Sequence, residues 1–441
     1  MTRTLEETHE PVGTPPTSKW RLTKKQTIVL VLVASAYLVT YMNRQIFPLL
    51  LPAITEEIAM SDTQVGVLTG FASVALNIAA ALGVVALAGR VTNSSFVKLS
   101  MVVLVLMPLL AGGSFSFWPL FIALLGIGMA EATVSAPSLS ILADHFHGSK
   151  RVFANSGYTI GLIGGMVFAY YVIGDLAVAY GWRAGFFAAS GITLIIGLAI
   201  FLLLPKSETP AEEERESLGL RSLGAIFRIK SARWILIGTF FQVVLTDSAF
   251  QWLPLYLSRS LEMSDSRIAW LMGTNYIVLG TLGILVGGAV AIRLRTHSTR
   301  RMQWMNLSVV ALTLVGYLAM LFTSSQQVSL VGVSLTILLG MAAYGSVLSF
   351  SQDVTPTSLH TQVVAVMFVL MGIGQGLGSF TIGAISDRLS DGLGVDSLRT
   401  AMLVVVLVAG AATLICFTLA ALNGNRDTER AQRLDAERAS A

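Results

Sequence analysis

The chain has 441 residues, of which 54% are hydrophobic and only 12% charged, with a mean hydropathy of +0.72. Soluble domains carry about 25% charged residues, so this composition excludes an ordinary soluble enzyme and points to a polytopic, all-α membrane protein. The net charge of +4 lies in scattered short loops, which leaves no basic patch for nucleic acid.

Residues 1–26 read as a polar tail holding Lys19, Arg21, Lys24 and Lys25. Apolar runs long enough to cross a bilayer, about 20 residues each, follow at about 27–53, 64–88, 97–117, 119–145, 153–179 and 183–204. The first run is too long for a signal-peptide core and lacks a convincing cleavage site, so it is read as a retained first helix. Residues 205–233 are polar, with Glu212, Glu213, Glu214 and Glu216 ahead of SLGLRSLGAIFRIK. They are expected to form a solvated linker, with a surface helix and a regulatory role as the further options. Six more runs follow at about 234–257, 267–292, 302–323, 327–350, 360–385 and 399–421. Residues 422–441 close the chain as a second polar tail. The expected architecture is therefore twelve helices in two six-helix bundles, 27–204 and 234–421.

Lys and Arg set the expected orientation, because they accumulate on cytoplasmic loops. With the N-terminus inside, inner segments hold 23 of the 29 and outer segments hold five: Arg183, Arg259, Arg267, Arg388 and Arg399. Both termini are expected to be cytoplasmic. The remaining one, Arg44, lies within a span.

The halves resemble each other. MSDTQVGVLTG at 60–70 answers MSDSRIAWLMG at 263–273, and continued to Arg90 and Arg293 the alignment keeps 10 identities in 31 positions. GMAEA at 128–132 answers GMAAY at 340–344 in the fourth helix of each half. Parallel repeats with a substrate between them are a transporter design. Gly157, Gly161, Gly164 and Gly165 in the fifth helix, and Gly372, Gly374, Gly376 and Gly378 in the eleventh, are expected to permit close helix packing; sliding during gating is the functional alternative.

Charge inside a bilayer costs about 2.5–3.5 kcal/mol per residue on insertion scales, so Arg44, Glu131 and Asp247 are expected to face a cavity or a partner. Arg44 lies about 25 Å along its helix at roughly 1.5 Å per residue. Glu131 sits near the middle of the fourth helix. The two are expected to share one aqueous space and to pair. A guanidinium there is a strong anion site, presenting a planar fork to carboxylate or phosphate; the bland alternative is an arginine snorkelling to lipid headgroups. Glu131 is replaced by Ala343 in the second half, so the acid serves something other than the helix. It could carry a proton, or make a structural hydrogen bond. Asp247 falls opposite Arg44 under the 203-residue offset; it could balance that charge, bind a cation, or sit wet at the helix end. Tyr41, Asn77, Asn155, Tyr158, Gln242, Asn275, Tyr276 and Gln375 are further polar or aromatic candidates for a cavity wall. His9, His145, His147, His297 and His360 lie at ends or loops, and the single cysteine is Cys416. No catalytic constellation, cofactor motif or metal site is legible.

These helices, together with Gly181-Trp182-Arg183…Phe186 before the sixth span, resemble the major facilitator superfamily. YMNRQIFPLLLPAI, MSDTQVGVLTG, GMAEATVSAPSLSILADHF and Ile385-Ser386-Asp387 resemble its Spinster-like branch. The resemblance implies alternating-access transport of anion-bearing amphiphiles, with Arg44 binding substrate and Glu131 coupling protons. It implies a cytoplasmic gate that includes Arg90 with Asp144, and Arg293. Three departures stand out. Asn43 occupies a position where the branch usually has Asp. Leu124 occupies one where it usually has Arg. The gate loop VALAGRVTNS and its copy GAVAIRLR keep Arg90 and Arg293 but have Gly89 and Ile292 where an acid is usual.

The expected function is transport of a small organic or amphiphilic anion across an inner membrane, by a monomer, with Asn43 orienting Arg44 by a hydrogen bond. The rivals are efflux of hydrophobic drugs, and a receptor or scaffold that binds without flux.

Overall fold

The computed structural model describes residues 22–72, 74, 79–80, 83–84, 90–147, 149–206, 220–295, 298–323 and 325–440. Helix α1, Lys24–Glu57, opens with a reciprocal cap in which the Thr23 side chain accepts from the Gln26 amide and Gln26 answers the Thr23 N–H. Such a capping box satisfies two backbone donors that the first turn leaves over. Helix α2 starts at Asp62 with the same device between Ser61 and Gln64, and is described without interruption over 62–72. Most of the remainder of the expected second span lies outside the described residues.

The first half continues with α3, Asn93–Gly112; α4, Phe117–His145; α5, 149–180; and α6, Trp182–Leu203. The sharp corner between α5 and α6 is Gly181 at φ +88°, a conformation open to glycine and costly for other residues. The linker contributes a short helix, Leu220–Arg228. The second half holds α7, 230–261; α8, Asp265–Arg295; α9, Thr299–Phe322; α10, Gln326–Asp353; α11, His360–Leu393; and α12, Asp396–Ser440. Wider π-type turns interrupt α5 at Phe168–Ile173, α7 at Val244–Ser248 and α8 at Tyr276–Gly280.

Among the described residues, ten helices are long and apolar enough to cross a membrane. Two expected spans are not among the ten. The second is described only in part. The seventh carries Gln242, Thr246, Asp247, Ser248 and Gln251 along its length, which lowers its hydropathy. Helix α12 does not stop at 421. Its polar extension docks back on the bundle: Asp427 accepts from the Ser231 N–H at 2.8 Å, and Asp435 accepts from the Thr357 N–H and hydroxyl.

Within the first half α1 packs on α4, α5 and α6; within the second α7 packs on α11 and α12. The expected glycine contacts are present. A side chain at Gly164 would meet Leu38 of α1 at 2.9 Å, and one at Gly374 would meet the Phe240 carbonyl of α7 at 2.7 Å. The halves meet where α2 lies against α11: a Cβ on Gly66 would come within 2.6 Å of the Ser379 carbonyl, and one on Gly70 within 2.6 Å of that of Gly376. Large apolar side chains such as Leu99, Trp118, Ile195 and Leu285 point outward, as expected where hydrocarbon replaces water as the solvent.

Candidate functional site

Helix α1 carries Arg44 to the interior, where its Nη1 donates to Glu131 Oε1 of α4. The arginine and glutamate side chains are 29% and 13% exposed, so the pair is sheltered but open to a cavity. Asn43, Phe47, Pro48, Leu68, Thr69, Leu124, Gly128 and Gln251 surround it. Gln251 comes from α7, so the pocket draws on both halves. Among the described residues, its buried Oε1 has no hydrogen-bond partner.

Aromatic rings continue the wall. The Arg44 guanidinium carbon lies 5.9 Å from the Tyr41 ring centre. Tyr41 meets Tyr37 edge-on at 4.8 Å, and Tyr37 stacks on Tyr158 of α5 at 4.1 Å. Tyr41 and Tyr158 were legible as candidates. Tyr37, the ring that joins them, was not, although its spacing of four residues from Tyr41 puts both on one helix face.

Asn43 does something other than expected. It is buried, and its amide donates to the Val39 carbonyl at 2.8 Å and to the Thr193 hydroxyl of α6 at 3.1 Å. The expected bond to Arg44 is replaced by a tie between α1 and α6. Adjacent residues on a helix point about 100° apart, so Asn43 turns to α6 while Arg44 turns to α4.

Asp247 lies on the π-type turn of α7 and lines a second cavity, in the other half, with about 710 Å³ of empty space including its mouth. Gln242, Thr246, Tyr276 and Tyr317 supply its polar wall, and Phe250, Met341, Met367 and Met371 its apolar one. Asp247 falls near the middle of α7, not at its end, so the helix-end alternative does not describe its place in the fold.

The expected gate residues lie at the end of the bundle that holds the termini. Arg90 precedes α3, Asp144 is in the last turn of α4, and Arg293 is near the end of α8; all three are exposed. The neighbouring Arg295 pairs with Asp353 of α10 at 2.5 Å. At the opposite end, sequence reasoning missed a clasp between the halves. Asp387 of α11 accepts from the Asp62 and Thr63 N–H groups at 2.8 and 2.7 Å, capping α2 from the other half. Asp62 in turn accepts from Arg259 of α7 at 2.7 Å and from the Ser386 hydroxyl at 2.6 Å. Arg259 was counted only as a topogenic charge, and Asp62 only as part of a repeat.

The family comparison rests on most of this bundle, since the model of the Major Facilitator Superfamily matches residues 33–379. The chain belongs to that superfamily. It is a multi-pass membrane transporter and not an enzyme. An MFS-type efflux pump of Mycolicibacterium smegmatis is 23% identical over 404 residues, 90% of this chain and 92% of that protein. The sphingosine-1-phosphate transporter SPNS2 of Danio rerio is 24% identical over 333 residues, 70% of this chain and 64% of that protein. The crystal structure of a bacterial homologue of the human lysosomal transporter Spinster, in an inward-facing and unoccupied conformation, superposes with a TM-score of 0.75 at 18% identity, covering 94% of this chain and 99% of that one. The likeness to the Spinster-like branch thus holds in sequence and in fold.

Proposed function

We propose that this transporter moves a small organic or amphiphilic anion across a cell inner membrane by alternating access, with Arg44 as the anion site. The observation that carries the reading is the placement of Arg44: a guanidinium inside the bundle, partly exposed to a cavity and held by a single carboxylate. An arriving carboxylate or phosphate can exchange with Glu131 for the planar fork. Glu131 then acts as an internal stand-in for the substrate, released as the substrate binds. The SPNS2 relative, whose substrate bears a phosphate, supports an anionic cargo.

The reading takes twelve spans, with α2 and α7 crossing alongside the other ten, and both termini cytoplasmic. It takes 27–204 and 234–421 as the moving units, 205–233 as their linker, and one chain as the working transporter. The Asp62–Arg259–Asp387 clasp then closes the outer end. Arg90, Asp144 and Arg293 belong to the inner gate, whose missing acids Gly89 and Ile292 weaken the latch opposing this closure.

Thermal stabilisation of purified protein tests the anion site. A ligand at 100 times its Kd adds about 2.7 kcal/mol. Sphingosine-1-phosphate, lysophospholipids and sugar acids would be screened beside cationic drugs, on wild type and Arg44→Ala. Stabilisation by an anion that vanishes in the variant supports the site. Stabilisation by cations alone, or equal responses of both proteins, replaces this reading with hydrophobic-drug efflux; the mycobacterial relative is an efflux pump. Binding without exchange in proteoliposomes would make the chain a receptor instead.

A further inference from the structure

We propose that Asp247, rather than Glu131, is the carboxyl group that takes up a proton in the transport cycle, with the second-half cavity as its port. The inference rests on the transport reading above.

Glu131 is already neutralised by its hydrogen-bonded ion pair with Arg44. Asp247 has no such cation: among the described residues its carboxylate makes no ion pair with Lys, Arg or His. The groups that face it are few. From α7 come the Thr246 hydroxyl and its own backbone N–H. From α8 and α9 come the phenols of Tyr276 and Tyr317. From α1 comes Arg44, acting through space and already matched by Glu131. Arg44, Glu131 and Asp247 together sum to one negative charge inside the bundle. One positive charge is therefore needed to balance the interior, since an uncompensated charge in a low-dielectric site is expensive.

The surroundings favour a proton over a metal ion, because the cavity wall beside Asp247 offers no second carboxylate, histidine or thiol among the described residues. The Thr246 hydroxyl lies 2.9 Å from the Gln242 carbonyl and 3.2 Å from Asp247 Oδ2. A hydroxyl has one proton to donate, and the shorter contact is with the carbonyl, an acceptor that can never donate. That single proton is shared between the Gln242 carbonyl and the Asp247 carboxyl group, so Asp247 keeps acceptor capacity that no other side-chain donor among the described residues fills. The Tyr317 hydroxyl does not substitute as a donor, because it donates to the Thr246 carbonyl at 3.1 Å. The proton comes from water entering the cavity; it binds one carboxylate oxygen, the local charge goes from −1 to zero, and no other bond changes. Release on the other side of the membrane restores the carboxylate as the halves rearrange around it.

The test uses the full chain in lipid. Infrared difference spectra between acid and alkaline pH report the C=O stretch of a protonated carboxyl. Wild type is expected to show this band. Asp247→Asn should lose it and Glu131→Gln should keep it. Thr246→Val should shift its frequency without abolishing it, a variant that leaves the acid in place and guards against loss of fold. A wild type without the band, or a band lost in Glu131→Gln and kept in Asp247→Asn, overturns the assignment. A second arm loads proteoliposomes with galactonate or sphingosine-1-phosphate. Accumulation driven by a pH gradient should vanish in Asp247→Asn while exchange without a gradient survives. Flux without any carboxyl band would sink the proton site and leave the transport reading intact. The Asp247 band without movement of either probe would uphold the proton site and count against the transport reading.

Discussion

Arg44 and Asp247 occupy corresponding places in the two repeats, 203 residues apart, yet they carry opposite charges in opposite circumstances. Arg44 has a carboxylate partner from α4 and an aromatic neighbour on its own helix. Asp247 has a roomy cavity, a shared hydroxyl proton and no ion pair among the described residues. The difference follows from one substitution between the repeats: Glu131 in α4 is matched by Ala343 in α10, which is buried. The first half holds a charge pair, which the proposed function has a substrate open. Among the described residues, the second half gives its acid no ion-pair partner. A pseudo-symmetric scaffold thus supplies two unlike half-sites, which the proposals above assign to an anion and to a proton.

The comparison breaks most visibly if the paired side is broken. Arg44→Ala strands Glu131, and removing one member of a sheltered ion pair costs about 3 kcal/mol. Chemical denaturation should show this loss, and Arg44→Ala with Glu131→Ala should recover part of it. If the single variant is as stable as wild type, the pair is not a unit. Glu131→Gln keeps the shape but gives up a charge-assisted bond, at about 2 kcal/mol. Its expected gain is functional: with its internal competitor weakened, Arg44 should bind anions more tightly in the thermal-shift assay.

The two ends of the bundle extend the same contrast. Arg259→Ala removes one strand of the clasp and should cost only about 1 kcal/mol. That is still enough to change a two-state ratio about fivefold. Thiol labelling of a cysteine placed at Ser379, under the α2–α11 contact, should therefore rise; unchanged labelling would mean the glycine contacts alone close that end. Gly66→Ala tests them directly, since a Cβ there meets backbone of α11 at 2.6 and 2.9 Å. The smallest effect is expected on the unpaired side. Asp247→Asn should leave stability unchanged or slightly raised by denaturation, because among the described residues the acid has no ion-pair partner to lose. A large loss there would mean that Asp247 is ionised and structural.

Much of this was legible from the chain. The cost of charge in hydrocarbon singled out Arg44, Glu131 and Asp247, and the reach of an arginine side chain across one shared cavity, despite unequal depths, predicted that the first two would meet. The part that failed concerned direction. Asn43 is one residue from Arg44, and a sequence argument has no way to see that one helix step turns it to Thr193 of α6. Nor could it see that Tyr37 bridges Tyr41 and Tyr158, since aromatic residues in a span are unremarkable in composition. The clasp was invisible for another reason. Asp62 and Asp387 are 325 positions apart, and each sits at a helix end where a charged residue is ordinary.

The sequence by itself determined that the chain lives in a membrane, is built twice over, and carries three ionisable residues within its spans, because hydropathy, repetition and the cost of charge are all properties of local composition. Only the tertiary structure decided which of those charges are paired and which end of the bundle carries the clasp between the halves. Those outcomes depend on the rotation of each helix about its axis and on which helices touch, and neither is written in any single segment.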